Sequence, residues 1–554
     1  MTSAAVIDDE NLPTAVPAEL IEWAQSLRGY VHPLENENAN LKEQVQQLTQ
    51  TVGELRDEIA ALKGQKKRPV FKPSGMDKET EPETQEDSKS GHAKARGDAG
   101  KSDKVAKTAR LKIHEEHKIK ADNVPQGSRF LGYTEFTVQE LSISPHNTRL
   151  HLERWSTPDG RVLTASCPPE FGGQHFGPKL RAFILYQHHH CHVTQPKLHE
   201  QLLEWGIDIS TGQINALLTT GHEVFADEKS NILTTGLQIS DAITVDDTGA
   251  RHAGKNGYVT VISSPEFAWF GSADNKSRIG FLTHLHDGKP SYAINEAALE
   301  YMREQGLKHD ILACVQTFAF EAGHWNNYLD WLDIQSPRHR TIVTEAALLG
   351  GLCLKDINPE LVIVSDGARQ FDILVHALCW IHTERLVHKL IAPNDIWRAQ
   401  QQQVRGQIWD YYGELKAFRK APSQEMAGVL DAKFDAIFGQ RTDWITLNLL
   451  LERTLKNKQD LLRVLQRPQI PLHTNSSETD IRDHVKIKKI SGGTRSNLGR
   501  SSRDTFASLK KTCRKLGVSF WAYLNDRITS VGQILPLPEL MRQRVLMRKL
   551  STTF

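Results

Sequence analysis

Asp246, Asp366 and Glu478 are the residues of this chain whose settings point to chemistry. Asp246 follows Ala-Ile-Thr-Val, and Asp366 follows Leu-Val-Ile-Val-Ser. Each ends a short run rich in β-branched residues, the pattern of a buried strand whose last side chain emerges at its tip. Glu478 follows Thr474-Asn-Ser-Ser477, a capping run that should open a helix. Carboxylates collected from two strand ends and a helix can hold two Mg²⁺ ions, or Mn²⁺ in their place, roughly 4 Å apart. That is the clamp used for in-line attack on phosphodiesters. Asp247 adjoins Asp246, and neighbours in an extended strand face opposite sides, so Asp246 is expected to reach the metals and Asp247 to support it. Asp247-Thr-Gly249 also matches the catalytic turn of aspartic proteases, which need two such turns. The other candidate, Asp366-Gly367-Ala368, lacks the hydroxyl residue after Asp.

Further groups fall near these acids. Cys379-Trp-Ile-His382 and Arg385 follow Asp366; on a helix His382 and Arg385, three apart, share a face and could balance the charge of a phosphate. A packed Cys-Trp with a surface His is the other reading. Arg482 lies one turn beyond Glu478 and could steer its carboxylate or hold a DNA phosphate. The chain then turns basic, with Lys486, Lys488, Lys489, Arg495, Arg500 and Arg503 as candidate DNA contacts, continuing through Lys510, Lys511, Arg514 and Lys515. Within it, Ser491-Gly-Gly-Thr-Arg-Ser-Asn-Leu-Gly499 has the composition of a phosphate-gripping loop; a solvated basic face is the alternative.

The elements that must position these groups can be read outward from them. From residue 242 the pattern is α/β, with strands expected at 242–246, 257–263, 267–272 and 361–365. The core is divided into 236–287, 356–394 and 467–530, interrupted by helical insertions at 288–355 and 395–466 and followed by a C-terminal extension, 531–554. The second insertion carries Trp397, Trp409, Tyr411, Tyr412, Phe434, Phe438 and Trp444, a stripe read as packing rather than base stacking. Residues 179–235 read as helices, with 197–205 and 211–218 flanking a glycine turn in the outline of a helix-turn-helix. Residues 123–178 read as a small β-rich module. The run His188-His-His-Cys-His192 invites a metal, yet adjacent residues of a helix point in different directions.

Residues 31–63 carry heptads. Leu34, Leu41, Leu48, Leu55 and Leu62 recur every seven residues, and Val31, Asn38, Val45, Val52 and Ile59 fill the alternate seam. β-branched residues opposite leucines favour a parallel two-stranded coil, and one seam Asn fixes its register. Residues 64–122 are charged and poor in large apolar groups, the composition of a disordered tether. No apolar run in the 554 residues approaches the ~18 needed to span a membrane. The six cysteines are scattered, with no Cys-x-x-Cys. Together with a start unlike a signal peptide, this leads to a cytoplasmic, nucleoid-associated bacterial protein as the expectation.

Val-Asp-Asp-Thr, then an apolar strand ending in Asp-Gly, then Cys-Trp-x-His-x-x-Arg, then Asn-Ser-Ser-Glu-x-x-x-Arg, in that order, resemble the DDE transposases of the insertion sequence sixty-six family. The resemblance covers most of the chain, including the zipper, linker and helix-turn-helix outline. It implies a ribonuclease-H-like catalytic core, with Asp246, Asp366 and Glu478 as the acids and Cys379, His382 and Arg482 at auxiliary positions. It also implies double-stranded DNA (element ends and target) as substrate, a homodimer or larger synaptic assembly, and element-encoded helper proteins as possible partners. The chain departs from the family where Asp-Asp-Thr replaces Asp-Glu-Thr and where His473-Thr-Asn475 replaces Asp-Asn-Asn. A Cys-rich zinc motif is missing and the 288–355 insertion is long, as in a divergent branch. A nuclease of the same fold that never joins strands, and a catalytically silent DNA-binding regulator, are the alternatives.

Overall fold

A computed structural model describes residues 112–551 except 121, 123, 124, 132, 135, 169–173, 316–318 and 321–323. The heptad segment, and the tether up to residue 111, lie outside the described residues. Its centre is a five-stranded mixed sheet: β3 (Ala242–His252), β4 (Lys255–Ser263), β5 (Ala268–Ala273), β8 (Val362–Ser365) and β9 (Val375–Leu378) stand in the order β5-β4-β3-β8-β9. The first three form an antiparallel meander, and β8 and β9 run parallel to β3. Order and direction are consistent with a ribonuclease-H-like core.

The β3–β4 hairpin turns on Ala253 and Gly254, both at positive φ (48° and 78°), the backbone a two-residue hairpin needs. Alternation then decides what each strand shows to each face. Ile243, Val245, Ile262 and Trp269 enter the main core, whereas Val259, Val261 and Phe270 form a second cluster with Ile481. Ile481 lies on α16 (Asn475–Ser491). Thr244 and Asp246 alternate with Ile243 and Val245, so they share the α16 face, and Asp247 takes the opposite one.

Helices cover the sheet in chain order: α1 (Pro178–His189), α2 (Gln195–Glu204), α3 (Thr211–Thr219), α4 (Glu223–Ile239), α5 (Arg278–Leu285), α6 (Glu296–Glu304), α7 (His309–Cys314), α8 (Trp325–Trp331) and α9 (Pro337–Cys353). A two-stranded sheet, β6 (Tyr292–Ala293) with β7 (Ala319–Phe320), sits within the first expected insertion. That stretch is integral to the core: Val343, Ala346, Ala347 and Leu348 of α9 are fully buried in the main cluster. The expected β-rich module contains, among the described residues, one hairpin: β1 (Arg154–Ser156) with β2 (Val162–Thr164), closed through Thr157 and Gly160. Its strand residues are exposed.

The second insertion comprises α11 (Asp395–Lys420), α12 (Gln424–Phe438), α13 (Ile445–Lys456), α14 (Lys458–Leu461) and α15 (Arg463–Gln466). Its aromatic stripe is packing, as expected: Tyr411, Tyr412, Phe434 and Phe438 are buried, and Trp397 stacks on Trp444. These rings enclose Trp380, the first residue of α10 (Trp380–His388), whose indole N–H donates to the Leu461 carbonyl at 3.0 Å. Gln401 Nε2 caps the far end by donating to the carbonyls of Val387 (2.6 Å) and Leu390 (2.9 Å). The insertion therefore braces the helix that carries His382 and Arg385.

α17 (Asn497–Lys515) closes the β5 edge with side chains in place of another strand. Asp504, Ser508 and Thr512, one turn apart, accept from the backbone N–H groups of Ser272, Phe270 and Ala268 at 2.8, 2.9 and 3.2 Å. Helical spacing of four and strand spacing of two rise by similar lengths, so one stripe satisfies alternate amides and blunts the edge. α18 (Phe520–Thr529) and α19 (Leu537–Ser551) are tied to α4 by Glu228, which accepts from Tyr523, Arg527 and the Leu537 amide. No helix among the described residues is long and apolar enough to cross a membrane.

Candidate active site

The parallel register carries the first two acids to one place. Thr244 of β3 pairs with Val364 of β8, and Asp246 and Asp366 lie two residues beyond each. Asp246 does not end its strand, as the sequence suggested. β3 continues to His252 because β4 keeps pairing with it, and Asp246 faces Val261 across that ladder. It is the neighbour β8 that stops, at Ser365, which opens the sheet beside Asp246.

Glu478 arrives from the first turn of α16, which packs against β3 and β4. The expected hydroxyl cap takes another form: Thr474 makes no side-chain cap, and its hydroxyl donates to the buried Cys379 sulfur at 3.5 Å. That bond joins the start of α16 to the start of α10. The opposite side of α16 is fixed by Asp480, which accepts from the Ser263 hydroxyl (2.8 Å) and meets Lys515 Nζ at 3.0 Å. Lys515 also donates to the Ser264 carbonyl and to Ser476 Oγ.

The three carboxylates occupy one electrostatic field. Burial first, then the charges of Asp366 and Glu478, raise the Asp246 carboxyl to about 6, against the pull of the Asp247 amide and His382. Glu478 is compensated: Arg385 donates to its Oε1 at 3.1 Å, His382 Nε2 stands 3.7 Å away, and Arg482 is 3.9 Å from Oε2. His382 and Arg385 therefore do share a face directed at the acids. Burial opposes charge on His382, but Cys379, Glu478 and Asp366 outweigh it and raise its pKa. Asp366 is exposed and its Oδ1 accepts from the Ala368 amide at 3.0 Å. Asp247, on the reverse face, pairs with Lys276 and accepts from Gln370 Nε2 at 2.8 Å.

Three hard oxygen donors suit Mg²⁺ or Mn²⁺; a divalent cation there would offset both the burial of the Asp246 carboxylate and the smaller repulsion from Asp366 and Glu478. Among the described residues, the group whose ligand atoms all lie within 4.8 Å of one another is a different one, Asp372, His376 and Asp460. Asp246, Asp366 and Glu478 do not make up such a group.

That Asp-His-Asp group was not foreseen. His376 Nδ1 faces Asp460 at 3.5 Å and Asp372 at 3.9 Å, and its Nε2 meets the buried Ser365 hydroxyl at 2.8 Å. Ser365 Oγ accepts from the Gly367 amide at 3.1 Å, so the chain of bonds ends on the turn that bears Asp366. Arg463 lies 3.3 Å from Asp460 and already supplies positive charge there. Only the Asp366 end of this network had a signal in the sequence.

The expected basic face is partly internal. Lys510, Lys511 and Lys515 turn toward Asp480 and Asp483, and Arg500 binds Asp274 at 2.7 Å. Arg503 donates to Gly492 O and Ser491 Oγ. Lys488 donates to the Gly249 carbonyl while remaining exposed; Lys486, Lys489 and Arg495 are exposed too. The glycine-rich loop does not form a free phosphate cradle. It docks on the β3–β4 hairpin, where Thr494 N donates to Arg251 O (2.9 Å) and Ala253 N to Thr494 O (2.8 Å). A Cβ on Gly493 would stand 2.1 Å from the Arg251 carbonyl oxygen, which explains that glycine. The helix-turn-helix outline corresponds to α2 and α3, with Gly206 at φ 75° between them, but α3 contains no Lys or Arg.

Residues 344–501 match the family model described as "Transposase IS66 family", a span that holds Asp366, Glu478 and the α10 residues. The chain is also 39% identical over 319 residues to the uncharacterized protein y4jO of Sinorhizobium fredii, covering 56% of this chain and 99% of that protein.

Proposed function

The chain belongs to the transposase IS66 family, and from that premise we propose that it cuts DNA at the ends of an insertion element and joins those ends to new DNA. Asp246, Asp366 and Glu478 are the proposed catalytic acids. The observation that carries this reading is that Asp366, past the end of β8, and Glu478, on α16, both act electrostatically on Asp246 of β3, where they add to burial, the larger cause, in raising its carboxyl to about 6. Two Mg²⁺ ions, or Mn²⁺, bound by these acids would polarise the scissile phosphate and activate the attacking oxygen, first of water and then of a DNA 3′-hydroxyl. The protein's own part is to place the carboxylates and balance charge. Arg385 and His382 hold Glu478 and offer positive charge to the phosphate, and Arg482 extends that surface outward. Asp247, tied to Lys276 and Gln370, anchors β3 from behind. No protein nucleophile is needed.

Lys486, Lys488, Lys489 and Arg495 are proposed to hold the DNA backbone, together with whatever part of Arg500 and Arg503 remains accessible. Two protomers would handle two ends, with helper proteins as further partners. The test is incubation of the full chain with labelled element ends, target DNA and Mg²⁺. Joined product supports the proposal, cleaved product alone makes the protein a nuclease, and bound but intact DNA makes it a regulator. Asp366→Asn should abolish both reactions while sparing DNA binding, and chelation of the metal should do the same. Cleavage retained by Asp366→Asn removes that residue from the metal site.

A further inference from the structure

The histidine run at 188–192 has no part in the site above, yet the fold brings it against the basic end of α17. Lys510 Nζ donates to the His189 carbonyl at 3.2 Å. The rings do not converge on a metal. His188 Nδ1 is bonded to Val193 O at 2.9 Å, His189 stacks on Phe506 at 4.3 Å, and His190 stacks on Tyr186 at 4.6 Å. Burial first, then the neighbouring His188 and His222, push His189 well below its ordinary pKa, and burial with Lys510, opposed by Asp483, takes His192 to about 4. Burial, opposed by Asp483, holds Lys510 at about 8.

Beside these residues opens a cavity of about 680 Å³, within the roughly 300–1,000 Å³ of small-ligand sites. One wall is aromatic: His190, Tyr186 and Trp521 stand in sequence, with Tyr186 and Trp521 edge to face at 5.4 Å and Trp521 40% exposed. The other wall is cationic. Asp483 answers Lys511 at 2.9 Å and Lys510 at 3.7 Å. Arg514 is exposed and pairs with no carboxylate among the described residues. The first turn of α18, capped by Ser519, borders the same space and adds its free N–H groups. An aromatic wall facing a guanidinium fits a base joined to a phosphate. A base stacked within a duplex offers neither face, so the nucleotide must be unpaired. Asp483 lies five residues after Glu478, a rise of about 7.5 Å but a turn of about 140°, so the cavity opens on a different face of α16 from the acids, toward Lys510 and Lys511.

We propose that this cavity receives one unpaired nucleotide of the DNA substrate, its base against Tyr186 and Trp521 and its phosphate on Arg514. The inference rests on the DNA-processing reading and adds to it a place for a frayed or single-stranded end. The experiment is fluorescence anisotropy of the full chain with a labelled blunt duplex and with the same duplex carrying a short single-stranded overhang. The wild type should prefer the overhang about tenfold, the scale of one base–aromatic stack. Trp521→Ala and Arg514→Ala should each abolish that preference, and Trp331→Ala, an exposed tryptophan of α8, should keep it. A wild type that binds both duplexes equally overturns this proposal alone; one that binds no DNA overturns the functional reading with it. Thymidine monophosphate binding as tightly as the overhang makes the cavity a free-nucleotide site and overturns the strand assignment. Independently of any variant, an overhang bearing 5-iodouracil should photocrosslink to Tyr186 or Trp521, and a crosslink confined to other residues refutes the placement.

Discussion

Glu478 and Asp366 are held very differently. Glu478 has Arg385 and His382 on one oxygen and Arg482 near the other, whereas Asp366 is exposed and steadied from below by Ser365, His376 and Asp460. Groups that orient a metal ligand are worth about 10–100-fold in affinity or activity when removed. Arg385→Met should therefore slow strand cleavage by about that factor at low Mg²⁺, with part of the loss recovered at high Mg²⁺. A loss that ignores Mg²⁺ concentration would assign Arg385 to the phosphate and not to Glu478. A second residue-scale expectation concerns Asp483. Burial alone would raise its carboxyl, but Lys511 and Lys510 outweigh that and hold it at about 2. In the unfolded chain an aspartate titrates near about 3.9. Its stabilisation is thus complete above that value and lost as pH falls through about 2. Asp483→Asn should lower the urea midpoint at pH 7, and the gap from wild type should narrow steadily between pH 4 and pH 2; a constant gap would make the effect one of packing. The candidate acids stand out in the sequence because each follows a local pattern, a β-branched run or a run of small polar residues. Their supports do not: Lys276, Gln370, His376 and Asp460 reach the site through strand register and helix docking, over separations that leave no local periodicity.

β3, β4, β5 and β8 begin within two residues of where apolar runs placed them, because a strand buried on both faces writes itself as a β-branched stretch. β9 escaped notice, since Val-His-Ala-Leu is four residues with a histidine inside and becomes a strand by pairing with β8. The polar stripe of α17 gave no signal in the sequence for a related reason. Asp504, Ser508 and Thr512 look like a solvated face on a helix, and only the β5 edge shows that their partners are strand amides. The same docking explains why a run of lysines and arginines is less available to DNA than its composition suggests. Ser508→Ala should leave the buried Phe270 N–H without an acceptor and cost about 1–3 kcal/mol in a denaturant titration. Amide exchange should show that loss of protection centred on β5. A variant as stable as wild type, with β5 amides still protected, would mean that the edge is closed by something other than this stripe.

At the scale of the whole chain, the sheet-centred core and the heptad segment are written in different codes. The core depends on contacts between residues hundreds apart, whereas the heptads of residues 31–63 are complete within themselves: leucines at every seventh position, β-branched residues opposite, and Asn38 once in the seam. Joining two element ends to one target requires two active sites held together. The parallel two-stranded coil expected from Leu34, Leu41, Leu48, Leu55 and Leu62 would supply the pairing, with the tether expected at 64–122 letting each core reach its own end. A proline in the middle of a helix removes a hydrogen bond and clashes with the preceding turn, at about 3 kcal/mol or more each. Leu41→Pro with Leu48→Pro should consequently halve the mass seen by sedimentation equilibrium. In the joining assay the double variant should still nick single ends but lose products in which two ends enter one target. An unchanged dimer would remove the heptads from the assembly, and a monomer that still joins paired ends would show that DNA alone brings two protomers together.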